Sequence, residues 1–225
     1  MVNVVCVKWG KRYSAHWVLR LKAMVEKHLS FTHRFVCLTD DPVPGVECIP
    51  FATDLVGWWA KIELFRPDLF TGSTLYFDLD VVLTASVDGI VLQAASDPSR
   101  LWMRDDFSYS LVKPRTDLDP SARRLLGGPG CCNSSVMAWH GDNVRIIWDA
   151  FDRKVMDEMH GDQNYISRLL YPDKLGFLEN AFVDSYKYRI RAGRPMAPVM
   201  VFHGSPKMDE LPRGDSLRAI WEAAA

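Results

Sequence analysis

The near-continuous apolar run Val2–Val7 constrains this chain more than any other feature. A strand with apolar residues at almost every position must be covered on both faces, as in a parallel sheet flanked by helices. The following segments keep that pattern. Trp17, Leu21, Val25 and Leu29 recur at helical spacing behind Ser14, a residue suited to capping. Arg34–Thr39 reads as a second strand, closed by the turn residues Asp40, Asp41, Pro42, Pro44 and Gly45. Val46–Phe51 is a short third strand, Trp58–Phe65 a short amphipathic helix, and Thr74–Asp80 a fourth strand entered through Gly72. Strand–helix–strand alternation predicts an α/β fold with a parallel portion.

The second half is less regular. Leu101–Arg104 and Ser134–Trp139 read as strands, and Asn143–Met159 as a helix with Val144, Ile147, Phe151 and Val155 on its apolar side. Asp162 caps a further helix through Leu170, and Val199–Phe202 is a late strand. Lys187, Arg189 and Arg191 alternate, which predicts a strand with one basic, solvated face. Arg104–Gly130 is polar and rich in Pro and Gly, which predicts a mobile loop. With no internal repeat and no low-complexity linker, 225 residues fit a single domain spanning 1–225.

Lys and Arg number 27 against 28 Asp and Glu, a net charge of −1. That balance leaves no electrostatic footprint for nucleic acid or an anionic membrane. No apolar run approaches the roughly 18 residues of a membrane span. The N-terminus lacks the basic start of a signal peptide. The five cysteines, at 6, 37, 48, 131 and 132, contain no Cys-x-x-Cys pair. They read as small buried residues in a reducing compartment, so a cytoplasmic location is expected.

The sharpest local signal is Tyr76-Phe77-Asp78-Leu79-Asp80-Val81, where two acids end an apolar strand. Side chains at i and i+2 of an extended chain point the same way. The carboxyl ends of strands are where α/β sheets bind ligands. Two carboxylates there suit a hard divalent cation, which offsets their repulsion; the plainer reading is a turn that closes the strand. Two chemistries use such a pair. A haloacid-dehalogenase-like phosphatase uses the first Asp as nucleophile, and Asp78-Leu-Asp-Val-Val-Leu83 is similar to its motif. That motif normally lies on the first strand, whereas three strands precede it here. Gly161-Asp162 also lacks the second acid of that family's later motif.

The order of motifs instead resembles the GT-A glycosyltransferases, especially the glycogenin and lipopolysaccharide galactosyltransferase-like family. Lys61, Asp78-Leu-Asp80, Asn133-Ser-Ser-Val-Met137, Asp162-Gln163 and His203-Gly-Ser-Pro-Lys207 follow one another in that sequence. The resemblance implies a GT-A-like (Rossmann-like) mixed sheet flanked by helices. Residues 1–84 would form the nucleotide-binding half and 100–210 the acceptor and donor-sugar half. It implies that Asp78, Asp80 and His203 hold Mn²⁺ or Mg²⁺, and that Lys61, Gly204 and Lys207 bind the diphosphate. Asn133 would face the donor sugar, with Asp162 and Gln163 near the reacting carbon. The family's usual His-x-x-Gly-x-x-Lys spacing is shortened here to His-Gly-Ser-Pro-Lys.

Residue chemistry agrees with these roles. A neutral imidazole beside two carboxylates suits Mn²⁺ better than Mg²⁺. Lys207 is a point charge able to stabilise a departing phosphate. Asn133 offers both a donor and an acceptor to sugar hydroxyls. Each residue also has a structural reading: Asn133 begins a strand, Asp162 caps a helix, Lys61 is a solvated helix lysine, and His203 ends a strand. Trp9, Trp58, Trp59 and Trp102 fall near strand ends, where aromatic faces either stack on sugars and bases or fill a core. The expected activity is metal-dependent, retaining transfer of a sugar from a nucleotide-diphosphate donor, UDP-sugar favoured, to a carbohydrate, lipid-linked or protein acceptor. A nucleotide-sugar-binding module without turnover is a further alternative. Arg104–Gly130 and Gly204–Lys207 are expected to close over the donor and exclude water.

Overall fold

The chain is described by a computed structural model over residues 1–107 and 132–224. Its main sheet has seven strands in the order β3-β2-β1-β4-β7-β6-β8. They are β1 (Val2–Lys8), β2 (His33–Thr39), β3 (Glu47–Ile49), β4 (Ser73–Phe77), β6 (Leu101–Asp105), β7 (Cys132–His140) and β8 (Leu175–Phe177). Strands β3, β2, β1 and β4 are mutually parallel. Strand β7 runs antiparallel to both β4 and β6. A second sheet pairs β5 (Val81–Leu83), β10 (Val199–Val201) and β9 (Val183–Ser185), with β10 central. The expected mixed α/β sheet is therefore what forms.

Helix α1 (Ala15–His28) buries Trp17, Leu21 and Val25 of the predicted face together with Val18, and α2 (Asp88–Ser96) buries Ile90, Val91 and Ala94. Val4 and Cys6 on one side of β1, and Val5 on the other, belong to two separate buried clusters. This double burial accounts for the apolar run. Cys6, Cys37 and Cys132 are buried and Cys48 is half-buried; Cys131 lies outside the described residues. Among those residues, no helix is long and apolar enough to cross a membrane.

Several expected elements take a different form. Ser14 occupies the N-cap of α1 without a side-chain capping bond. Trp58–Phe65 belongs to a 3₁₀ helix, Gly57–Phe65. The predicted helix Asn143–Met159 is two short ones, α3 (Ile146–Asp149) and α4 (Val155–Glu158). The Asp152 carboxylate accepts the Lys154 backbone N–H at 2.9 Å, offering the chain an alternative to the helical ladder. The basic "strand" is helix α6 (Tyr186–Ala192), started by Ser185, whose Oγ accepts from Tyr188 N. Helical rotation then splits Lys187 and Arg189 between faces. Of the expected loop Arg104–Gly130, Arg104 and Asp105 end β6, and residues 108–130 lie outside the described ones.

Close packing at β8 gives a direct test. Gly176 is the register partner of Trp102, and a Cβ there would lie 2.8 Å from the indole Cδ2 and Cε3. Gly176→Ala must displace that ring, at a cost of about 1–3 kcal/mol, read as a lower midpoint of urea unfolding.

Candidate active site

Strand β4 ends at Phe77, and Asp78-Leu79-Asp80 turns the chain into β5. Leu79 is buried in the core and anchors the turn between the two acids. The turn is clamped from both sides. Because β7 is antiparallel to β4, its first residues arrive at the carboxyl end of β4, and Asp78 N donates to Ser135 O at 2.8 Å. Because β10 is antiparallel to β5, the chain after it reaches the same rim, and Phe202 N donates to Asp80 O at 2.9 Å. Residues distant in sequence meet here through strand direction alone.

Each acid engages a buried lysine. Lys61 Nζ lies 2.8 Å from Asp78 Oδ1, donates to Ser134 Oγ at 3.1 Å, and sits 3.7 Å from Asp162 Oδ2. Lys61 is 9% exposed, so it is no solvated helix lysine. Burial alone would lower its pKa, but Asp162 and Asp78 outweigh burial and hold the ammonium charged. Asp78 also accepts from the Tyr76 hydroxyl at 2.5 Å. Burial, then the Asp78 charge, pushes that phenol's pKa well up, so Tyr76 stays a donor. Lys207, equally buried, donates to Asp80 Oδ2 and to Phe202 O, the latter at 2.6 Å. The Tyr13 hydroxyl donates to Asp80 at 3.2 Å.

Helix α5 (Asp162–Leu170) points its first residue into this cluster. Gly161 takes the N-cap position, so the expectation that Asp162 caps the helix is corrected. The buried Lys61 charge draws the Asp162 carboxylate toward the site. Burial raises the pKa of Asp162, with Lys61 opposing the rise. Its Oδ2 is buried without a hydrogen bond. Gln163 follows, half-buried. Asn133 lies on β7, half-buried, with Oδ1 accepting from Ser135 N at 3.0 Å.

His203 follows β10 but turns to other partners. Its Nε2 lies 2.6 Å from Ser185 Oγ, and its ring stacks on Phe107, centroids 5.4 Å apart and planes 2° apart. Burial and then the Lys187 ammonium lower its pKa, which keeps the imidazole neutral. Among the described residues, no three His, Cys, Asp or Glu side chains gather as a metal-binding group. Asp78 and Asp80 are thus neighbours, while His203 faces Ser185. Gly204 has φ of +74°, and a Cβ there would come 3.4 Å from Lys187 Nζ.

Sequence reasoning missed Tyr13, Tyr76, Ser134 and Ser185. Tyr76 was readable, since it precedes Asp78 by two positions and shares its strand face. Tyr13 and Ser185 carry no local signal.

Asp78 and Asp80 supply oxygen donors of the kind a hard divalent cation takes, each here paired with a buried ammonium. Burial, then the Asp78 charge, raises the pKa of Asp80, so the pair repel in a poorly solvated place. Three carboxylates (Asp78, Asp80 and Asp162) face two ammonium groups (Lys61 and Lys207), an excess of one negative charge.

The architecture is that of the GT-A glycosyltransferases. The galactosyltransferase LgtC, solved with donor and acceptor sugar analogs, is similar with a TM-score of 0.68 and 15% identity, covering 99% of this chain and 95% of that one. GlyE of Streptococcus pneumoniae TIGR4 gives 0.65 and 14%, over 100% and 60%. Mouse xyloside xylosyltransferase 1 gives 0.54 and 10%, over 90% and 97%. At such identities the likeness is one of fold. No protein-family model and no curated protein sequence matches this chain.

Proposed function

We propose that this protein transfers a sugar from a nucleotide-diphosphate donor, with a divalent cation held by Asp78 and Asp80. The observation that carries this reading is the clamped Asp78-Leu79-Asp80 turn, its acids paired with buried Lys61 and Lys207 beside Asp162. A bound cation would act as a Lewis acid on the donor diphosphate. His203, kept neutral, is the candidate third ligand, and reaching that role requires its ring to turn from Ser185.

The chain's own residues have separable parts. Residues 1–84 supply Lys61, Asp78 and Asp80; residues 100–210 supply the sugar-side groups. Lys207 and Lys61 carry positive charge where the leaving diphosphate gathers negative charge. Asp162 Oδ2, buried and without a hydrogen bond, is an acceptor for a donor-sugar hydroxyl. Asn133 and Gln163, both half-buried, would orient the sugar. Gly204 leaves backbone room for the diphosphate beside Lys187. The resemblance implies retention at the anomeric carbon, a UDP-sugar donor, Mn²⁺ as the metal and a carbohydrate, lipid-linked or protein acceptor.

Thermal unfolding tests the donor. UDP-, GDP- and CDP-sugars are screened with and without Mn²⁺. One donor–metal pair is expected to raise apparent stability by about 2.7 kcal/mol at a hundredfold excess over Kd. No shift with any pair removes the reading. The phosphatase alternative predicts an aspartyl-phosphate on Asp78, hence beryllofluoride trapping and p-nitrophenyl phosphate hydrolysis; neither is expected.

A further inference from the structure

Trp58 is 52% exposed, a large apolar surface for a residue beside a buried charge cluster. In the 3₁₀ helix Gly57–Phe65, residues three apart eclipse, so Trp58 and Lys61 share one face. Lys61 reaches Asp162, and Trp58 lies against the residue before it: a Cβ on Gly161 would sit 3.2 Å from the indole Nε1 and 3.3 Å from Cδ1. A side chain at 161 would require the indole to give way by a few tenths of an ångström. The exposed His160 adds a second ring, centroids 5.8 Å apart and planes 33° apart. Two exposed rings therefore border the Asp162-Gln163 pair.

We propose that Trp58, flanked by His160, is the platform on which the acceptor's pyranose ring stacks. A pyranose presents an apolar C–H face to an indole and leaves its hydroxyls at the edges. On this platform an edge hydroxyl lies toward Asp162 and Gln163, where a donor sugar would be. Naming the ligand as the acceptor rests on the glycosyltransferase reading; the stacking itself does not.

The test uses the full chain labelled with 5-fluorotryptophan, the Trp58 resonance being assigned by its loss in Trp58→Phe. Methyl α- and β-glycosides of glucose, galactose and xylose are titrated with and without UDP and Mn²⁺, with glycerol as the control polyol. The expected result is a saturable shift of the Trp58 signal by at least one glycoside and none by glycerol. Trp58→Ala should weaken that glycoside about tenfold, as read by saturation-transfer NMR, while UDP binding is unchanged. Gly161→Val, which pushes the indole away, should weaken it similarly. A silent Trp58 signal across all six glycosides, or equal affinity in Trp58→Ala, overturns the platform. A Trp58 response in a protein that binds no nucleotide supports the platform and removes the transferase reading instead.

Discussion

Asp80→Asn is expected to abolish Mn²⁺-dependent nucleotide-sugar binding while the fold survives. Asparagine keeps the volume and loses the charge. The change removes the repulsion from Asp78 that, after burial, raises the Asp80 pKa, but it also takes the counter-ion from buried Lys207, so a stability loss of up to about 3–5 kcal/mol is expected and binding is compared where both proteins are folded. Lys207 would keep the Phe202 carbonyl, and the Tyr13 hydroxyl can donate to the amide oxygen. The cation, by contrast, would lose one of two anionic ligands. Donor affinity measured calorimetrically with Mn²⁺ should fall at least about a hundredfold, or ~2.7 kcal/mol. Wild-type binding by the variant places the metal elsewhere.

Lys61→Met should have the largest effect on stability. Lys61 is buried between Asp78 and Asp162. Removing one partner from a buried ionic group strands the other and typically costs about 3–5 kcal/mol. The loss should depend on pH in a defined direction. Asp162 already has a raised folded-state pKa from burial, and Lys61 is the charge opposing that rise. Without the ammonium the folded pKa climbs further. A carboxyl whose folded pKa exceeds its unfolded value binds protons more tightly when folded. Stability therefore falls as pH rises from the unfolded to the folded pKa. The deficit of Lys61→Met should be fully developed once pH exceeds the raised Asp162 value and should shrink as the solution is acidified toward the ordinary carboxylate range. Urea midpoints of wild type and variant across that range measure it. A pH-independent gap would mean that Asp162 is not the group stranded. Lys61→Met combined with Asp162→Asn should recover part of the loss, because the stranded charge is gone.

Legibility from sequence followed the range of the interactions. Strand β1 and helix α1 were readable because their burial depends on periodicity within a few residues, which Val4, Val5, Trp17 and Leu21 carry in order. The acid pair was visible for the same reason, but as the end of a strand Thr74–Asp80; the strand stops at Phe77 and the acids lie in the turn that follows. The helix expected over Asn143–Met159 failed where a local competitor, the Asp152 carboxylate, took up the Lys154 backbone N–H. The basic alternation of Lys187, Arg189 and Arg191 suggested a strand, but capping by Ser185 started a helix. In both cases a side-chain hydrogen bond to backbone outweighed the pattern.

The sequence by itself determined an alternating α/β chain with a parallel portion and two acids at the close of its fourth strand. Those features depend on apolar spacing and on residue types that are neighbours in the chain. The partners of the acids were decided by tertiary structure. The reversed direction of β7 brings Ser134 and Ser135 to Asp78, and the reversed pairing of β10 with β5 brings Lys207 to Asp80. The same packing turns His203 onto Ser185 and Phe107, although the late motif alone suggested a ligand aimed at the two aspartates. Strand direction and burial are set by the whole sheet closing over two cores. The identity of a lysine's counter-ion more than a hundred residues away is therefore a property of that closure, which no local stretch of residues encodes.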